Sequence, residues 1–102
     1  MDRSRKYDWD RHNKGHIAAH HVEPHEVEEV LTNDSVYIET KIDAQTGEER
    51  VLEIGHTNEG RVLFVVWTPR GEFTRPVTAF EANRKTRAAY ERRRYEENQR
   101  HN

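Results

Sequence analysis

Apolar positions follow two rhythms along this chain. Val27, Val30 and Leu31 stand at i, i+3 and i+4, which predicts an amphipathic helix. Pro24 suits its first position, Glu26 adds charge to its first turn, and Asn33-Asp34 ends it. Beyond that point the period falls to two. Val36, Ile38, Thr40 and Ile42 alternate with Tyr37, Glu39 and Lys41, as in a half-buried strand. Arg50, Leu52 and Ile54 share one face of the next strand. Val62 to Trp67 is a continuous apolar run, so it is the most buried strand of the set. Phe73 to Ala79 forms the last strand, and Pro76 makes it an edge or an interrupted one. Turns are predicted at Asp43 to Glu48 with Gly47, at Asn58-Glu59-Gly60 and at Pro69-Arg70-Gly71.

The two ends are less regular. Tyr7 to Trp9 reads as a short strand, and Asp10 as the N-cap of a helix over 11–20 with Asn13 three residues on. That helix is weak, since it holds Gly15 and only Ile17 as a large apolar residue. A last helix over 84–98 has Asn83 as its cap and i, i+4 pairs at Arg87/Glu91, Arg92/Glu96 and Arg93/Glu97. Its apolar stripe is thin, with Ala88, Tyr95 and Tyr90, so it needs another surface to lie on. Residues 1–6 and 99–102 are expected to fray. Without repeats or a boundary, residues 1–102 form one α+β domain: a small antiparallel sheet with two N-terminal helices and a C-terminal helix.

Composition sharpens this picture. The chain has 102 residues with 32% hydrophobic and 35% charged, which implies a small core. Charges of both signs are interspersed, which argues against disorder. No apolar run approaches the roughly 18 residues of a membrane span, and no signal-peptide apolar region follows Met1. There is no cysteine for a disulfide or a thiolate site. A cytoplasmic protein without a membrane partner is the expectation. The net charge of −2 hides a split. Residues 1–59 carry seven Lys/Arg against fourteen Asp/Glu, a balance of −7. Residues 60–102 carry ten against five, a balance of +5, and nine of those ten are arginine. Arginine's planar fork fits phosphate oxygens, so this half is either a nucleic-acid footprint or a solvated face laced with ion pairs.

Two sets of residues offer chemistry. His12, His16 and His20 rise along one side of the predicted helix, but the glutamate of a His-Glu-x-x-His zinc motif is missing. No metal and no cofactor are expected, and a polar helix face is the plainer reading. His20-His21 at the helix end suits proton transfer, or alternatively a cap. Arg50, Arg61 and Arg75 begin or interrupt strands. Two of them on one sheet face would hold a phosphate and stabilise its extra charge; the alternative is pairing with Glu39, Glu53 or Glu72.

Taken in order, Trp9-Asp10, Asn13, His16-Ile17, His20, Val22-Glu23-Pro24 and Glu26 to Leu31 resemble the opening of BrnT-family toxins. Glu49-Arg50, Gly55, Gly60-Arg61-Val62-Leu63, Val65-Val66 and Arg75 to Ala79 resemble that family's meander. Arg84-Lys85, Arg87 and Tyr90 resemble its basic last helix, so the likeness covers roughly residues 7–95. The resemblance implies a RelE-like fold and a metal-independent endoribonuclease that blocks translation by using the RNA's own 2′-hydroxyl as nucleophile. It implies a cognate BrnA-like antitoxin, and contact with operator DNA only through that antitoxin. His20 is then the proton-transfer residue, and Arg50 and Arg75 bind phosphate. His21, Arg61, Thr78, Arg84 and Arg87 are the implied RNA contacts.

This chain departs from the pattern at four places. Ala19 stands where the family usually has a cation, His21 where it has glycine, Phe80 where it has arginine, and Thr86 where it has glutamate. A phenylalanine at 80 can pack or stack but cannot neutralise a phosphate. These departures leave a second reading, a catalytically weak relative that acts as an antitoxin-binding co-repressor.

Overall fold

In the computed structural model, residues 5–100 are described. The elements run β1 (Lys6–Tyr7), α1 (Arg11–Ala18), α2 (Pro24–Thr32), β2 (Val36–Ile42), β3 (Glu49–His56), β4 (Val62–Arg70), β5 (Phe73–Glu81) and α3 (Arg84–Arg100). The five strands make one sheet in the order β1-β5-β4-β3-β2. The meander β2 to β5 is antiparallel, as the alternation predicts. The sheet is nevertheless mixed, because β1 lies parallel to β5, with Lys6 opposite Phe73 and Tyr7 opposite Thr74. A two-residue strand carries no periodicity, so this pairing leaves no trace in the sequence. Two residues expected to fray are held in place: Arg5 Nε donates to the Thr74 hydroxyl, and Lys6 is in the strand. Trp9 lies outside β1, and its indole N–H donates to Glu28 on α2 at 2.9 Å.

Helices α1 and α2 cover one face of the sheet. Ile17, Val22, Val27, Val30 and Leu31 pack there on Leu63, Val65 and Ala79. Alternation along β4 puts Leu63 and Val65 on this side and Phe64 and Val66 on the other. Gly55 lets α2 lie close, since a Cβ there would sit 2.9 Å from Val30 Cγ1 and 3.0 Å from the Val30 carbonyl. A smaller cluster of Ile54, Val62, Ala82 and Tyr90 lies on the opposite face, where α3 crosses one end of the sheet.

Three expectations change in detail. Helix α1 stops at Ala18 instead of residue 20. The chain then turns through His21 at φ 61°, while the Val22 N–H reaches back to the Ile17 carbonyl. Strand β2 is not half-buried: Ile38 is 45% and Ile42 63% exposed, because no helix lies beneath it and α3 reaches only Val36. A bulge between Tyr37 and Glu39 breaks its register as well. In α3, of the expected stripe only Tyr90 is buried, and Tyr95 stands 65% exposed. The helix runs on to Arg100, past the point where fraying was expected; residues 1–4 and 101–102 lie outside the described part.

Candidate functional site

The face of the sheet away from α1 and α2 is open over much of its length. On β3 it presents Arg50, Leu52 and Ile54, on β4 Phe64, Val66 and Thr68, and on β5 Arg75, Thr78 and Phe80. Leu52, Val66 and Thr78 stand in one row and remain only half-buried. The edge of this face is shaped by a bulge in β5. Val66 opposes Thr78, but Trp67 opposes Pro76, which leaves Val77 as the extra residue. The proline therefore sits where the ladder is already broken, and its missing N–H costs no regular pairing.

Helix α1 is bound to this bulge. The Asp10 carboxylate accepts from the Asn13 N–H at 3.0 Å, and Asn13 Oδ1 accepts from the Asp10 N–H at 2.8 Å, a reciprocal cap. The Asn13 side-chain amide then donates to the carbonyls of Asp8 and Pro76. On this helix the His12 and His16 rings lie edge to face, with centroids 6.2 Å apart.

An open cleft of about 380 Å³ results, lined by His12, His16, Arg50, Thr68, Arg70 and Arg75. Its cations are held by carboxylates on the rim. Arg75 reaches Asp10 at 3.0 Å and Asp8 at 3.5 Å. Arg50 lies 3.3 Å from Asp43 and 3.5 Å from Glu48, and Glu48 also binds Arg70 at 2.8 Å. The Arg50 Nε is buried and has no hydrogen-bond partner among the described residues. The Asn13 N–H holds the Asp10 carboxyl below the usual carboxylate range, and Arg75 adds to this. Backbone N–H groups of Gln45 and Thr46 do the same for Asp43, with Arg50 contributing. These acids stay ionised, so the guanidinium groups are oriented by fixed negative charge.

Of the residues singled out from the sequence, Arg50 and Arg75 meet in this cleft, and His20 does not line it. Past the end of α1, the His20 ring lies 6.1 Å from that of Phe80, which is stacked on Phe64 at 5.4 Å. His21 occupies the left-handed backbone conformation that a glycine adopts freely. Arg61 belongs to the helix layer: it donates to the His21 carbonyl and pairs with Glu26 at 2.9 Å. None of the three arginines uses the cross-strand glutamates Glu39, Glu53 or Glu72. Thr78 lies on the open face between cleft and aromatic pair, while Arg84 and Arg87 are exposed on α3. In the sequence His12 and His16 read only as metal ligands or a polar helix face, and Arg70 only as part of a turn; the cleft brings all three together. The i, i+4 spacing of the two histidines puts their rings on one side of the helix, but nothing in the sequence says that this side meets Arg50 and Arg75.

A family model described as "Ribonuclease toxin, BrnT, of type II toxin-antitoxin system" matches residues 9–86. The chain belongs to the BrnT family. No curated protein matches it. Every residue lining the cleft lies within the BrnT match, whereas most of α3 lies beyond it. Membership in a toxin–antitoxin family also implies an antitoxin partner. Among the described residues no helix is long and apolar enough to cross a membrane.

Proposed function

We propose that this chain is a metal-independent endoribonuclease acting in the cytoplasm, where it blocks translation by cutting RNA. The reading rests on one observation: three arginines and two imidazoles line a single cleft on an otherwise open sheet face. In the proposed reaction the ribose 2′-oxygen attacks the adjacent phosphorus, and the bond to the 5′-oxygen breaks. The products are a 2′,3′-cyclic phosphate and a 5′-hydroxyl. One imidazole of the His12/His16 pair accepts the 2′-hydroxyl proton, and the other gives a proton to the departing 5′-oxygen. Arg50 and Arg75 stabilise the charge that gathers on the phosphoryl oxygens. DNA lacks the nucleophile and is not cut.

The role first given to His20 moves to His12 and His16, because they share the cleft with the arginines. His20, Thr78, Arg84 and Arg87 remain RNA contacts outside it, and His21 and Arg61 support the fold beneath. The test is incubation of purified protein with RNA in excess EDTA. Undiminished cleavage to cyclic-phosphate ends supports the reading, and intact RNA removes it.

A second reading has its own support. Each cleft arginine is already paired with carboxylates, and Phe80 supplies no further cation. On that reading the chain is a weak nuclease that binds a BrnA-like antitoxin and reaches operator DNA only through it. Induced expression with and without the antitoxin separates the two. Growth arrest with RNA loss, relieved by the antitoxin, supports the toxin. Normal growth and intact RNA without the antitoxin support the co-repressor.

A further inference from the structure

The open face carries a second feature that the cleft chemistry does not use. Phe80 is 37% exposed, although it lies on the sheet and not in a loop. Its ring stacks on Phe64 across the β4–β5 ladder, with centroids 5.4 Å apart and planes 29° apart. The Phe64 ring is anchored beneath by Ile54, Val62, Ala82 and Tyr90. The His20 ring is a tilted neighbour of Phe80, with centroids 6.1 Å apart and planes at 53°. Three rings are thus neighbours, one of them seated on a buried cluster, and Phe80 stays partly open to solvent.

We infer that Phe80, braced by Phe64 and flanked by His20, is a stacking subsite for one unpaired base of the RNA. This rests on the proposed ribonuclease reading. Phe64 and Thr68 are four residues apart on β4, so the platform lies roughly 13 Å from the cleft along the strand. That separation suits a base one or two nucleotides from the scissile phosphate. The intervening row of Leu52, Val66 and Thr78 is half-buried and carries no charge, so it offers a shallow floor instead of a barrier. A nucleobase fits better than an aliphatic side chain. A flat ring backed by Phe64 and still partly exposed can offer a π-face to a base, and stacking does not depend on base identity. The loss of a cation at position 80 is then compensated by stacking, which grips a base instead of a phosphate.

The probe is a 2′-O-methyl oligoribonucleotide, which lacks the nucleophile, with a single 2-aminopurine moved along it. At one position the wild-type protein should quench the fluorophore. Phe80→Leu keeps the apolar contact with Phe64 but loses the ring. It should abolish that quenching and weaken binding roughly 5- to 100-fold, whereas Phe80→Trp should restore both. An abasic residue at the same position should weaken wild-type binding by a similar factor and the Phe80→Leu protein no further. Equal affinity of wild type and Phe80→Leu, in proteins of equal melting temperature, overturns the inference. So does a Phe80→Leu defect confined to antitoxin binding, which would assign the face to the protein partner. Cleavage of unmodified RNA by the wild type is scored separately. A nuclease indifferent to Phe80→Leu loses only the subsite, while absence of both cleavage and oligonucleotide binding removes the ribonuclease reading as well.

Discussion

Asn13 donates its side-chain amide to the Pro76 carbonyl at 2.9 Å, joining the first turn of α1 to the bulge of β5 across 63 residues of sequence. The same amide holds the Asp8 carbonyl, and its oxygen takes the Asp10 N–H. Asn13 is 1% exposed and its bond to the Pro76 carbonyl is buried, so that carbonyl would lose its partner without gaining water. Asn13→Ala should cost about 1–3 kcal/mol of stability for each buried group left unpaired, read by denaturant unfolding. It should also lower cleavage at temperatures where the fold survives, because His12 and His16 ride on α1. Full activity in a destabilised variant would separate the helix from the chemistry.

Arg50→Ala and Arg75→Ala should each reduce cleavage by roughly 10²–10³-fold, the effect of removing a preorganised charge from a transition state. Lysine at either position should rescue only part of this, since an ammonium makes no planar two-pronged contact. Asp10→Asn should act differently, by loosening the grip on Arg75 and weakening the cap of α1. Single-turnover rates measured alongside melting curves distinguish these effects.

His12→Gln and His16→Gln should each lower the rate of the chemical step by roughly 10²–10⁴-fold and alter its pH profile. His20→Gln should chiefly raise KM. A pH–rate profile that is unchanged in both cleft variants would return the proton transfer to His20.

His21→Gly should stabilise the protein by about 1–2 kcal/mol, the cost of a left-handed conformation for a residue with a Cβ. The contact from Arg61 goes to the His21 carbonyl and survives the change. Thermal melting measures this directly, and cleavage should be little altered.

His56 should make the seating of α3 sensitive to acid. Its Nδ1 is 2.8 Å from the Tyr90 hydroxyl, and burial pushes its imidazole below the ordinary value, with Arg94 adding repulsion and Asp34 opposing it. The folded chain therefore takes up this proton less readily than the unfolded chain. The contribution is complete above about pH 6.5 and is lost as pH falls through the folded-state pKa. Melting temperatures taken between about pH 7.5 and 5 should fall more steeply for the wild type than for His56→Gln.

Local grammar made much of this fold readable. The N-cap at Asp10, the proline opening α2, and the three strands read at Arg50 to Ile54, Val62 to Trp67 and Phe73 to Ala79 depend on neighbours in the chain, and all are found. What depends on distant partners was hidden. The parallel pairing of β1, the exposure of β2 and the burial of Tyr90 without Ala88 or Tyr95 follow from which elements lie across the sheet. The candidate site divides in the same way. Arg50 and Arg75 were visible as cations on strands of one sheet, and β4 lies between them. That α1 brings His12 and His16 to them, and leaves His20 beside Phe80, depends on the Pro76 bulge.

The bulge at Ile38 has a consequence for how copies of this protein meet. Strand β2 is the outer edge of the sheet and leaves a row of backbone donors and acceptors beside exposed Tyr37, Ile38 and Ile42. A straight edge of that kind invites a second copy to pair with it, and further copies to follow. The extra residue bends the edge and puts the row out of step, while Glu39 and Lys41 set charge along it. Straightening β2 by removing Ile38 would therefore be felt first in test tubes of concentrated protein, as fibrils or precipitate, before any change in the rate at which RNA is cut.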